Sequence, residues 1–256
     1  MSSVIGFDKF GIEKKFADLD GGISLFQDDL NSGFGETDEK HGFQSIPGVK
    51  IMRKTFSFNK IKLKPDQEVT IFVFLPKLNP EYGSHEGVGR CSSGSGLSIK
   101  LRGSNHPTAS DKPNSAKCYI FHFEFEGGKC NNFQKEYPHP RYSKFDLEEE
   151  NEFPNWIGKV MGFKVATINT ENKKGVKFWA WFDPSDKIVD GELKTDNNWL
   201  LRYKGLDSGQ FGTNKNHTKT KGPFLDCFGK LIEFRMDNAD KNTKAFCASA
   251  REIKPI

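Results

Sequence analysis

The sequence predicts an all-β protein, built as two antiparallel sheets packed face to face in a jelly-roll β-sandwich. Three observations predict it. Apolar residues recur at every second position in roughly ten segments from residue 50 onward. The stretches between them are rich in Gly, Asn, Asp and Pro, which is hairpin chemistry. No amphipathic helix of about 12 or more residues is visible. A closed barrel is the alternative closure of the same strands.

Taken in order, residues 1–48 are rich in Gly, Asp and Phe and keep no period of 2 or 3.6, so they read as an irregular N-terminal wrap with short strands. Residues 49–256 then form one jelly-roll domain. Its strands are expected over Ile51 to Phe58, Val69 to Leu75, Leu97 to Leu101 and Cys118 to Phe125. The last is the clearest: Tyr119, Phe121, Phe123 and Phe125 share one face, and Ile120, His122, Glu124 and Glu126 the other. After a charged, Pro-containing stretch (Glu148 to Pro154), alternation resumes in Trp156 to Ile168 and Val176 to Phe182. Further strands are expected in Trp199 to Tyr203, Leu231 to Met236 and Phe246 to Ile253.

Composition bounds the function classes. The chain has 256 residues and a formal charge of +4, with a mean hydropathy of -0.64. No apolar run reaches the roughly 18 residues a membrane-spanning helix needs. The small, dispersed positive charge argues against nucleic acid as a partner. The 24 Phe, 4 Trp and 5 Tyr supply ample core. The five cysteines contain no C-x-x-C pair, which excludes zinc-ribbon and thioredoxin-like readings. Cys118 and Cys130 flank an expected hairpin and either bridge or stay as buried thiols. The N-terminus shows no basic segment followed by an apolar one, so no signal peptide is expected.

Two loops invite a ligand. Arg90 to Gly96 (RCSSGSG) is Gly/Ser-rich but lacks the terminal Lys-Ser/Thr of a phosphate-binding loop and precedes a strand, so nucleotide binding is rejected. Gly209 to Gly222 is a basic surface loop, or a lid over an anionic ligand.

Four constellations could carry chemistry. Lys100 and Arg102 are expected on one strand face beside a Gly turn presenting His106, a cationic face suited to a carboxylate or sulfate, or else merely solvated. Gln134, Lys135, His139, Arg141 and Tyr142 lie within nine positions. Pro138 and Pro140 stiffen that stretch, so it is not expected as a central ladder strand. It offers a base, an acid and cations together, or a solvated Pro-rich connection. His122, Glu124 and Glu126 alternate on one face, a spacing compatible with the ~5–5.5 Å carboxylate pair of a retaining glycosidase. Lys177, Trp179 and Trp181 stand opposite Val176, Phe178, Ala180 and Phe182, where the two indoles either stack on sugar rings or are covered by the wrap. Asp183, Asp186, Asp190 and Glu192 follow in a loop that departs from the EF-hand spacing, leaving structural calcium as a weak option and no other cofactor or metal implied.

The runs Ile99 to His106, Lys135 to His139 with Tyr142, Trp156 to Lys164, Phe234 to Asn238 and Ala250 to Ile253, together with Asp8 to Ile12, resemble a poorly characterised archaeal and bacterial family of concanavalin A-like β-sandwich proteins. That family is itself similar to alginate-lyase-like and glucuronan-lyase-like enzymes. The resemblance implies a carbohydrate-binding protein that recognises an acidic polysaccharide in a concave groove, in an extracellular setting, or a polysaccharide lyase acting by β-elimination. In the lyase reading Arg102 looks like the arginine that binds a uronate, and Gln134 with His139 resembles a Gln-x-His segment, here spread over five positions. Arg102 with Gln134 or Lys135 would then stabilise the enolate, His139 would take the C5 proton and Tyr142 would protonate the leaving oxygen. In the binding reading Lys100, His106, His122, Glu124, Arg141, Trp179 and Trp181 contact the glycan.

Overall fold

The computed structural model describes residues 65–77, 96–103, 117–126, 132–137, 147, 150–185, 187–190, 192–194, 196, 198–209, 224–225, 231–237, 239–240 and 243–253, together with the strand backbones of 23–26, 43–46, 49–57 and 142–144. In chain order the strands are β1 (Ile23–Phe26), β2 (Phe43–Ile46), β3 (Val49–Ser57), β4 (Gln67–Leu75), β5 (Gly96–Gly103), β6 (Cys118–Glu124), β7 (Asn132–Glu136) and β8 (Tyr142–Lys144). They continue with β9 (Lys159–Asn169), β10 (Val176–Asp183), β11 (Lys187–Val189), β12 (Glu192–Lys194), β13 (Leu200–Asp207), β14 (Leu231–Asp237) and β15 (Lys244–Glu252). The described residues contain no helix, and so none long and apolar enough to cross a membrane.

Thirteen of these strands form two antiparallel sheets: six in the order β1-β15-β4-β9-β10-β13, and seven in the order β2-β3-β14-β5-β6-β7-β8. The chain crosses repeatedly from one sheet to the other, and β14 and β15 return from the C-terminal end to insert beside strands near the start. This is the jelly-roll sandwich that the alternating pattern predicts. β11 and β12 make a separate two-stranded hairpin. From the N-terminal 48 residues, β1 pairs with β15 and β2 with β3, so this segment adds a strand to each sheet.

The period of two decides which side chains meet between the sheets. Tyr119, Phe121 and Phe123 on β6, and Val176, Phe178, Ala180 and Phe182 on β10, all face inward into one core. Phe133 of β7 stacks on Phe178 with centroids 3.6 Å apart, and Phe123 meets Phe163 of β9 at 4.8 Å. Each buried phenylalanine contributes about 2 kcal/mol of transfer free energy. Gly205 of β13 makes room for one of them, since a Cβ there would strike the Phe178 ring. The stretch before β9 is sewn on by Trp156, whose indole N–H donates to the Glu124 carbonyl at 2.8 Å. Gly158 (φ +78°) then turns the chain into β9, where only glycine is at ease.

One local expectation is corrected. Residues 133–136 belong to a paired ladder strand, β7, bonded to β6 on one side and β8 on the other. Pro138 and Pro140 follow β7, so neither removes a donor from it.

Candidate functional site

Three separate regions hold the chemistry-bearing residues: the seam between the sheets and the two outward sheet faces. The single cationic groove expected from the sequence does not form among the described residues.

The seam takes Arg102 and Lys135. Strict alternation would put Arg102 outward with Lys100. Instead β5 bulges there: Glu233 pairs with Lys100, yet Leu231 pairs with Gly103, so Leu101 and Arg102 together oppose Ile232. Arg102 takes a φ of 54° and turns inward. It is 0% exposed. Its guanidinium donates to Thr167 Oγ1 at 3.1 Å, Asn169 Oδ1 at 2.7 Å, the Leu225 carbonyl at 2.8 Å and Asp66 Oδ1 at 2.9 Å. With these donors committed and no surface exposed, Arg102 ties the two sheets together rather than gripping a uronate.

Lys135 lies in the same seam because β7 points Phe133 and Lys135 inward. Its ammonium donates to both oxygens of Asp207, at 3.1 and 2.8 Å, and both side chains are 0% exposed. Asp207 also accepts from the Tyr119 hydroxyl at 2.8 Å and the Gly209 amide at 2.9 Å. Tyr119 in turn accepts from the Leu225 amide at 2.8 Å. Burial pushes the Lys135 pKa down while Asp207 opposes it, and burial pushes the Tyr119 hydroxyl up, with Asp207 adding to the rise. This is a buried polar seam with its members paired, and it withdraws Arg102 and Lys135 from the elimination mechanism.

The outward face of the seven-stranded sheet carries ionisable groups in cross-strand rows. Lys100 (β5) sits between Glu233 (β14) and Ile120 (β6) in register, and its ammonium lies 3.1 Å from Glu233 Oε1. Two residues along, the Ser98 hydroxyl lies 3.0 Å from His122 Nδ1. The His122 ring rests over Gly96, where an added Cβ would crowd it and strike the Phe123 carbonyl. The Cys118 thiol donates to Glu136 Oε2 at 3.2 Å. Burial, reinforced by the Glu136 charge, holds that thiol well above its ordinary pKa. Lys100, Cys118, His122, Glu136 and Glu233 are all buried, whereas Gln134 and Glu124 are half-buried on the same face. The alternative that Lys100 is merely solvated is therefore corrected: it is buried and paired with Glu233.

The outward face of the six-stranded sheet is aromatic. Trp179 and Trp181 point away from the core, as their alternation with Phe178, Ala180 and Phe182 requires. Trp181 is buried, and Trp179 is half-buried. They pack with Trp199, Leu201, Ala166, Ile168 and Ile253. Trp199 is also half-buried. Lys164, opposite Trp181 on β9, places its ammonium 4.2 Å from the Trp199 ring centre, and Phe72 of β4 meets Trp199 edge-on at 5.9 Å. Beside Trp179 stand two exposed lysines: Lys177 two residues earlier, and Lys204 opposite it on β13.

Among the other residues singled out from sequence, His106, His139 and Arg141 lie outside the described residues. Tyr142 is described by its backbone, paired with Glu136. Asp186 is also outside them; Asp183 accepts from the Ser185 amide at 2.9 Å and from its hydroxyl. No group of three or more His, Cys, Asp or Glu able to hold a metal ion occurs among the described residues. Sequence reasoning missed Glu136, Glu233 and Asp207, and also Lys164 and Trp199. The only local signal for the last two was their place in alternating segments; what joins them is a tertiary contact of the Lys164 ammonium with the Trp199 ring.

No family model matches the chain, and no curated protein matches it. Among solved structures it is similar to lectin UEA-II complexed with galactose, at 11% identity and a TM-score of 0.32 over 82% of this chain and 84% of that one. It is similar to peanut lectin with a bound nonapeptide at 8% identity and a TM-score of 0.31, covering 86% of this chain and 96% of that one. A carbohydrate-binding module of a Ruminococcus gnavus sialidase, bound to α2,6 sialyllactose, aligns at 8% identity and a TM-score of 0.26 over 91% and 95% of the two chains. The fold of the present chain stands on its own strand order. The resemblance to alginate-lyase-like and glucuronan-lyase-like enzymes finds no support in these three neighbours.

Proposed function

We propose that this protein binds a polysaccharide on the outward face of its six-stranded sheet, without cleaving it. The observation that carries the reading is the half-buried indole of Trp179, in line with Trp181 and flanked by exposed Lys177 and Lys204. A flat aromatic surface offers the apolar face of a sugar ring a large contact, and half-exposed indoles on an outward sheet face are poorly explained by core packing. The two lysines favour a chain that carries carboxylates. Lys204 is held by Glu150 at 2.9 Å, but an exposed pair of this kind is worth at most about 1 kcal/mol and exchanges readily for a ligand anion.

Titration of a polyuronate and of a neutral glucan, followed by tryptophan fluorescence, tests this. Saturable binding of the acidic chain, with no new reducing or unsaturated ends and with loss of binding in Trp179→Ala, is expected. Equal binding by Trp179→Ala, or no binding to any chain, would remove the proposal.

A further inference from the structure

We infer that the acidic chain bound at Trp179 is acetylated, and that Leu206 receives the methyl of the acetyl group. The inference rests on the glycan reading above and names the chemistry of its ligand.

Four outward side chains stand at the corners of one square. In register, Trp179 of β10 is opposite Lys204 of β13, and Lys177 is opposite Leu206. The two cations therefore occupy one diagonal and the two apolar groups the other. Directly opposed residues have Cβ atoms about 5 Å apart, and diagonal ones remain within reach of aromatic and long side chains. A sugar ring lying on Trp179 then has a lysine on each of two sides and a leucine at the corner between them.

Leu206 carries the argument. It is 41% exposed, and the exposed large hydrophobics among the described residues are this leucine and Val189 of the separate β11–β12 hairpin. Its strand is the last in its sheet. An apolar side chain open to water on an edge strand adds little to the core and invites unwanted pairing, which is why charged residues are usual there. Leu206 is also seated. Gly175 leaves the room for it, since an added Cβ there would come within 3.0 Å of Leu206 Cδ1 and 2.9 Å of the Asp207 carbonyl. The leucine thus lies against backbone and keeps an accessible apolar surface beside Lys177.

Lys177 supplies the charge. It is exposed and makes no ion pair with a described residue, whereas Lys204 is shared with Glu150. Its partners across the two neighbouring strands are Ile168 and Leu206, so aliphatic groups flank it on both sides. A bare polyuronate offers carboxylates and hydroxyls and has nothing for Leu206. An acetyl ester on a ring hydroxyl adds one methyl group and leaves the carboxylate charge unchanged. One anion beside one methyl matches a lysine set opposite a leucine, with Trp179 under the ring.

The test compares acetylated alginate with the same polymer after mild alkaline removal of its esters, matched in length. The wild-type protein is expected to bind the acetylated form ~4-fold more tightly, as one buried methyl-sized group contributes. Leu206→Thr should bind both forms alike, at the wild-type affinity for the bare polymer and with an unchanged melting temperature. Leu206→Met should keep the preference, and Lys177→Gln should weaken both forms by the same factor. Equal binding of the two forms by the wild type, or a preference that survives Leu206→Thr, would overturn the inference and leave the glycan reading standing. Equal weakening of both forms by Leu206→Thr would overturn it too, because that result marks a contact unrelated to the ester. Binding to phosphatidylglycerol vesicles that Leu206→Thr abolishes, with no preference between the polymers, would assign the square to a membrane surface instead. A wild-type protein that binds neither polymer removes the glycan reading, and the acetyl site with it.

Discussion

The two outward faces of the sandwich are made of opposite materials, and they use them differently. On the seven-stranded face buried polar groups hold one another: Lys100 and Glu233, Cys118 and Glu136, Ser98 and His122. On the six-stranded face the indoles of Trp179 and Trp199 remain half open. The contrast teaches that charge alone is a poor guide to a binding face. A buried ion pair has already exchanged water for its mate, so little is left for a ligand; a half-open ring still has a face to offer.

The sharpest way to break the comparison is to remove one mate on the ionic face. Glu233→Leu leaves the Lys100 ammonium buried without its counter-charge, and urea unfolding should show a loss of about 3–5 kcal/mol with glycan affinity unchanged. Adding Lys100→Met to that variant should recover most of the loss. If the single variant unfolds like the wild type, the face is more hydrated than its burial implies.

On the aromatic face the effects should appear in binding instead. Trp179→Ala should weaken polyuronate affinity by about tenfold or more, that is at least about 1.4 kcal/mol, while denaturation shifts far less because the ring is half exposed. A large stability loss with intact binding would mark Trp179 as core.

Alkaline titration gives a third contrast. The folded Cys118 thiol holds its proton above the ordinary thiol range, so above about pH 9 the unfolded chain releases a proton that the native state keeps. Stability from this group is fully present below that pH and falls by up to about 1.4 kcal/mol per pH unit above it, until the folded thiol titrates. Lys135 works the other way. Its lowered pKa means that the unfolded chain binds more protons between the folded value and 10.5, so its contribution rises with pH there. Cys118→Ala should therefore flatten the alkaline decline and Lys135→Met steepen it, as read from melting temperatures between pH 8 and 11. Parallel curves for all three proteins would contradict both assignments.

The smallest effect belongs to the rim. Lys204→Ala breaks an exposed pair with Glu150 and should cost under about 1 kcal/mol of stability. It should also lower affinity for the polyuronate two- to threefold and leave the neutral glucan unaffected. Equal effects on both polymers would argue against a carboxylate at this position.

How much of this was legible beforehand differs by residue. Tyr119, Phe121 and Phe123 were readable as a core face, and Trp179 and Trp181 as its opposite, because side-chain direction along a strand follows from chain geometry within a few residues. The β7 strand was obscured by the prolines just beyond it. Arg102 was misread because a bulge adds one residue against the partner strand, and that reverses its face without leaving a mark in the local pattern. The elimination mechanism depended on that face.

The alternating pattern by itself determined an all-β chain, most of its long strands and the faces of the two tryptophans, since a two-residue period is a property of the strand alone. Only the folded structure decided that Lys135 meets Asp207, 72 residues away, that Lys164 covers Trp199, and that Arg102 turns inward. Those outcomes depend on which strands pair, in what register, and where one of them bulges, and such long-range choices are made by the packing of the whole sandwich.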